Sequence, residues 1–125
     1  MLKRCQVTSV NFGEVAYKLH QRTGVSADET AHTFVTSLGV TVQPVVLDDV
    51  LHFPQLKDID QASRATQRQD GVQELKSLSL ADMVCLAAAQ ARRLPVLTGD
   101  RHWATLAQHG LQCQVFDYRD EATTT

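Results

Sequence analysis

The sequence predicts an α/β protein built on a mainly parallel sheet with helices on both faces. Short apolar or alternating runs at 5–10, 40–46, 94–97 and 110–116 read as strands, and the segments between them carry the 3.6-residue apolar period of helices. Strands that alternate with helices favour parallel crossover connections, because a helix joining two parallel strands must lie on a face of the sheet.

A chain of 125 residues suits one domain, expected over 1–120, with 121–125 as a tail that has no reason to be ordered. Fourteen acidic residues against twelve basic ones give a formal charge of −2, so no bulk attraction to nucleic acid is expected. Cys5, Cys85 and Cys113 are widely spaced among apolar neighbours and read as reduced, buried small hydrophobes. The absence of a Cys-x-x-Cys pair argues against a structural zinc site. The first residues lack the apolar core of a signal peptide and no run approaches a membrane span, so a cytoplasmic protein with no membrane partner is expected.

The first strand is expected in Cys5–Val10, with Ser9 or Asn11 placed to cap the helix that follows. From Asn11 to Arg22, Phe12, Val15, Ala16 and Leu19 form one apolar face, and Thr23-Gly24 supplies the stop. Ser26-Ala-Asp-Glu is a capping-box sequence, and the helix it opens carries Ala31, Phe34, Val35 and Leu38 inward before Gly39. Val40–Val46 reads as a second strand, with Pro44 pointing to a sheet edge. Between Asp48 and Gln69 Pro54 interrupts a helical pattern, so two helices or a helix and a loop both fit, with Leu56, Ile59, Ala62 and Ala65 on one face. Gln67–Ser77 is polar, contains Gly71, and is expected to be an exposed loop.

Leu80–Leu94 has helical spacing at Leu80, Met83, Val84, Leu86, Ala87, Ala91 and Leu94, and feeds directly into the strand Leu94-Pro-Val-Leu. Gly99 suits a sharp exit from that strand, and Asp100 is placed to cap a helix carrying Trp103 and Leu106. A last strand is expected in Gly110–Phe116, where Leu111, Cys113 and Val115 alternate.

Neither a phosphate-cradling glycine loop nor a Gly-x-Ser-x-Gly elbow occurs, which leaves acids as the candidate chemistry. Glu14 and Asp82 fall in first helical turns and Asp100 at the carboxyl end of a strand, the edge where ligands gather in open α/β sheets. Clustered carboxylates repel one another unless a hard cation such as Mg²⁺ or Mn²⁺ neutralises them. On spacing alone the bland roles are the stronger reading of each acid: Glu14 as a solvated helix residue, Asp82 as a partner of the helix dipole, and Asp100 as a cap.

Three segments in order, Ser9-Val-Asn-Phe-Gly-Glu-Val, Leu78-Ser-Leu-Ala-Asp-Met-Val-Cys-Leu-Ala-Ala-Ala and Leu94-Pro-Val-Leu-Thr-Gly-Asp-Arg-His-Trp, resemble later motifs of the PIN-domain ribonucleases. The likeness is closest to the VapC-type toxins of bacterial toxin–antitoxin pairs. It implies a three-layer α/β/α fold, an acidic metal site at Glu14, Asp82 and Asp100, and orienting neighbours at Asn11 and Thr98. It also implies Mg²⁺- or Mn²⁺-dependent cleavage of RNA, a homodimer, and a small antitoxin protein as inhibitor. PIN domains open with an apolar strand ending in aspartate, which does not precede Cys5 here. The resemblance therefore implies that a central strand and one acid are missing, and that the chain is either an active nuclease in a longer form or a catalytically inactive module or fragment that binds antitoxin or RNA.

Arg101 adjoins the proposed site and is the basic residue placed to meet a phosphate, whereas Arg92 and Arg93 read as a solvated helix end. Trp103 is expected in the core, and His102 to be exposed. Tyr17, His20 and Phe34 have spacings that cannot all face one core, which suggests a partner surface, although core packing is the simpler expectation for Phe34.

Overall fold

The computed structural model describes residues 5–119. Their contacts divide into two compact units, one ending at Val46 and the other beginning at Leu47. The protein is mixed α/β with short parallel strands, but these form two two-stranded sheets, one in each unit. The expected tail at 121–125 lies outside the described residues.

In the first unit, β1 (Gln6–Thr8) runs straight into α1 (Ser9–Thr23). The cap is Thr8, in place of the expected Ser9 or Asn11, because the last strand residue holds an extended backbone and its hydroxyl accepts the Asn11 N–H at 3.0 Å. Gly24 ends the helix in the left-handed conformation that glycine adopts without a Cβ clash. Ser26 caps α2 (Ala27–Ala31) by accepting the Glu29 N–H at 3.1 Å.

From His32 to Ser37 the helix widens into a π turn, with Leu38 N–H donating to the Thr33 carbonyl five residues back. That wider turn moves the downstream residues off the expected apolar face. Val35 and Leu38 are exposed, whereas Phe34 is half-buried and meets Phe12 edge-on at 5.6 Å. β2 (Thr41–Gln43) pairs in parallel with β1, Gln6 opposite Thr41 and Thr8 opposite Gln43. It stops before Pro44, which has no N–H for a ladder.

The second unit starts with α3 (Leu47–Val50) and α4 (Phe53–Gln69), so the region around Pro54 is two helices. Pro54 lies in the first turn of α4, where its missing N–H would have had no helical partner. The buried face of α4 is Leu56, Ile59, Asp60 and Ser63, and the expected Ala62 and Ala65 are exposed. The reason is polar: the buried Asp60 carboxylate turns inward to accept the Leu78 N–H at 2.8 Å, fixing the chain just before the next helix.

α5 (Leu80–Arg92) is enclosed along its second half, with Leu86 to Gln90 all buried, while Leu80 at its start is exposed. Leu86, Ala87 and Ala89 meet Leu56, Ile59, Val96, Trp103, Leu106, Leu111 and Cys113 in one core. Trp103 is in the core as expected, and His102 is half-buried rather than exposed.

β3 (Val96–Thr98) pairs in parallel with β4 (Val115–Asp117), with Val96 opposite Val115 and Thr98 opposite Asp117. The last strand is shorter than expected. Leu111 and Cys113 are buried in the core ahead of it without joining the ladder. Between β3 and β4 run α6 (His102–Thr105) and a 3₁₀ turn, Leu106–His109. Among the described residues, no helix is long and apolar enough to cross a membrane.

Candidate functional site

The carboxyl ends of β3 and β4 lie side by side, and they collect the polar residues of the second unit's candidate site. Thr98 closes β3 and its hydroxyl accepts the Asp100 N–H at 3.0 Å, folding the chain back as it leaves the strand. Asp100 is exposed, and its Oδ1 accepts the His102 N–H at 3.0 Å at the start of α6. Asp100 therefore performs the expected capping role, satisfying an N–H that the helix leaves open. Gly99 between them does not occupy the left-handed region; a Cβ there would run into the Tyr118 ring. Its service is space.

Asp117 is the residue of this rim that the sequence analysis did not single out. It sits opposite Thr98 in the ladder, and its Oδ1 accepts the Arg119 N–H at 2.9 Å. Two guanidinium groups flank it, Arg101 Nε at 3.8 Å and Arg119 Nε at 3.9 Å. Arg119 also donates to the Gly99 carbonyl. The alternation of Leu111, Cys113 and Val115 up to Phe116 is the signal that could have put Asp117 at a strand end.

Asp82 stands in the first turn of α5, where the sequence put it. Its Oδ2 accepts the Ser79 N–H at 2.9 Å while the Ser79 hydroxyl accepts the Asp82 N–H at 3.1 Å, a reciprocal capping box. No hydrogen bond or ion pair joins Asp82 to Asp100 among the described residues. Glu14 belongs to the first unit, on α1, half-exposed and 3.7 Å from Lys18 one turn on. Asn11 shares that helix, in reciprocal contact with Thr8.

The structure thus brings Thr98, Asp100 and Arg101 together with Asp117, and it leaves Asp82 occupied at a helix start of the same unit. Among the described residues no group of three or more His, Cys, Asp or Glu is arranged to hold a metal ion. Among the described residues, Asp82 and Asp100 each commit one oxygen to a backbone N–H and keep the other without a hydrogen bond, so hard oxygen donors of the kind Mg²⁺ and Mn²⁺ take are present on both.

Two further polar arrangements are structural. Asp49, 1% exposed, takes a two-pronged contact from Arg92, Nη1 to Oδ1 at 2.7 Å and Nη2 to Oδ2 at 3.2 Å, tying α3 to α5. Gln90 is buried, donates from Nε2 to Gln55 Oε1 at 2.8 Å, and accepts the Gln112 N–H at 2.8 Å. Burial pushes the Cys85 thiol up to about 11, with smaller contributions from Cys113 and Asp82, and it raises Cys113 as well. Both thiols are poor nucleophiles near neutral pH. No family model matches the chain, and no curated protein matches it significantly.

Proposed function

We propose that this chain is a metal-dependent endoribonuclease of the PIN class, a toxin acting on RNA in the cytoplasm. Its proposed partners are a small antitoxin protein and a second copy of itself. The observation that carries the reading is the Thr98-Gly99-Asp100 turn at the carboxyl end of β3, beside Asp117 at the end of β4. A carboxylate at the exit of a parallel strand is where α/β sheets put their chemistry. The three-layer PIN-like fold is part of the same proposal. It is supported by the parallel pairing of strands within each sheet.

Within the second unit, Asp82 and Asp100 would be the carboxylates offered to Mg²⁺ or Mn²⁺, which would supply an acidified water and neutralise charge on a phosphodiester. The chain's own residues do the rest. Thr98 holds the Asp100 backbone, the His102 N–H orients the Asp100 carboxylate, and Asp117 holds the Arg101 guanidinium beside the site. Arg101 is largely exposed and its charge is available to a phosphate.

A second reading is a catalytically inactive PIN-like module that binds antitoxin or RNA. It is favoured by the structural work that Asp82 and Asp100 already do as caps. Mn²⁺ titration of the full chain separates the two. The nuclease reading expects binding that weakens at least tenfold in Asp82→Asn and in Asp100→Asn; equal, background-level uptake by all three proteins would support the inactive module.

A further inference from the structure

The corner between α3 and α4 carries His52, half-buried and outside the acid site, and its ring meets the buried Gln90 carboxamide on α5. Gln90 Nε2 lies 3.0 Å from His52 Nδ1 and 2.8 Å from Gln55 Oε1. Gln55 Nε2 in turn donates to the Gly110 carbonyl at 3.3 Å, and Gln90 Oε1 accepts the Gln112 N–H at 2.8 Å. One polar network therefore joins the α3–α4 corner, α5 and the segment that enters β4.

Two ends of this network are backbone groups whose roles are fixed. The Gln112 N–H can only donate, so Gln90 must turn Oε1 towards it; the Gly110 carbonyl can only accept, so Gln55 must turn Nε2 towards it. Gln90 Nε2 is left with two hydrogens for two partners, Gln55 Oε1 and His52 Nδ1. His52 Nδ1 must therefore accept, and the neutral ring must carry its proton on Nε2. A second proton, on Nδ1, would set N–H against N–H. Turning the Gln90 amide over would move the conflict to the Gln112 N–H and Gln55 Oε1 without removing it.

We infer that His52 is a proton-sensitive latch: neutral, it fastens the α3–α4 corner to Gln90, and as an imidazolium it releases Gln90 and loosens the chain at Gln112. The charged groups of the packed elements leave this role to the ring. Asp49 of α3 and Arg92 of α5 are paired with each other, so α3 stays on α5 and the release is local. Asp48, Arg93, Lys57 and Asp58 are exposed to water. His109, next to Gly110 on the 3₁₀ turn, is the other titratable ring near the network. In the unfolded chain the His52 ring takes its second proton near the ordinary histidine value, about pH 6.5, with no contact to lose. The latch thus contributes stability above that pH, and the contribution is lost as the pH falls below it.

The test has two parts, both on the full chain. Nitrogen-detected NMR of the histidine rings at about pH 7.5 is expected to find His52 protonated on Nε2 and bare on Nδ1. Urea unfolding is then compared at about pH 7.5 and about pH 5 in the native chain and in His52→Asn, whose Oδ1 can accept from Gln90 without titrating. Between those pH values the unfolding constant should rise about tenfold more in the native chain than in the variant, against a ceiling of about thirtyfold for one histidine. The Gln112 amide resonance should move together with the His52 ring in the native chain and stay in place in His52→Asn. A His52 ring protonated on Nδ1 at neutral pH overturns the inference, and that measurement needs no variant to fold. An equal pH response in the variant also overturns it, and moves the titration to His109 or to the carboxylates.

Discussion

Thr98 and Asp117 face one another across the β3–β4 ladder, and through that one pairing two arginines are brought to the rim where Asp100 leaves the sheet. The contacts from Asp117 to Arg101 and Arg119 are long, and both arginines are exposed, so their value to stability is small. Asp117→Asn is expected to change the unfolding free energy by less than about 1 kcal/mol, as read by urea denaturation. On the nuclease reading it frees two cations, so RNA binding should tighten at low salt and lose the gain at high salt. RNA affinity that is unchanged at low salt would remove Arg101 from the site.

The Asp49–Arg92 pair makes the opposite prediction. Asp49 is buried and its two oxygens are matched by two guanidinium nitrogens, so removing the acid leaves a guanidinium facing an empty partner position. Asp49→Ala should cost about 3 kcal/mol in urea unfolding. A loss below about 1 kcal/mol would mean that water compensates Arg92 and that the pair contributes little to joining α3 and α5.

Asp82 is predicted to separate stability from function. Ser79→Ala removes one half of the capping box and should cost about 1 kcal/mol without affecting RNA cleavage. Asp82→Asn keeps a side-chain oxygen able to accept the Ser79 N–H, so it should cost less than that while abolishing cleavage. Thermal unfolding and an RNA cleavage assay on the two variants provide the check. Equal effects of both variants on cleavage would reduce Asp82 to a cap.

Cys85 gives a pH dependence of known sign. Its thiol is raised from 9.0 to about 11 in the folded chain, chiefly by burial, so the folded state holds its proton where the unfolded state has released it. The contribution is fully present below pH 9 and is lost as pH rises through about 11. Unfolding midpoints in urea should therefore fall across that interval, and Cys85→Ala should flatten the fall. An identical slope in the variant would place the titration elsewhere, with Cys113 the next thiol to examine.

Much of the local structure was legible because the stops and caps are chemical. Gly24 and Ser26 end and start helices where the sequence indicated, and the helix from Leu80 and the strand at Val96 followed from apolar spacing. What was not legible depended on partners distant in sequence. The inward turn of Asp60 answers the Leu78 N–H eighteen residues away, which periodicity along α4 cannot contain. The π turn at His32–Ser37 changes which face Val35 and Leu38 present without leaving a signal in residue type. In the site, the position of Asp100 was readable from the strand exit, but the significance of Asp117 needed the β3–β4 register to bring it beside Thr98.

The measurement that bears most directly on the central claim is cleavage of a labelled single-stranded RNA by the full chain in Mn²⁺, compared with Asp100→Asn at matched folding. The account predicts metal-dependent cleavage that falls about 100-fold or more in the variant, equal to about 2.7 kcal/mol of barrier. Cleavage that persists unchanged in Asp100→Asn, or that proceeds equally in EDTA, would contradict it.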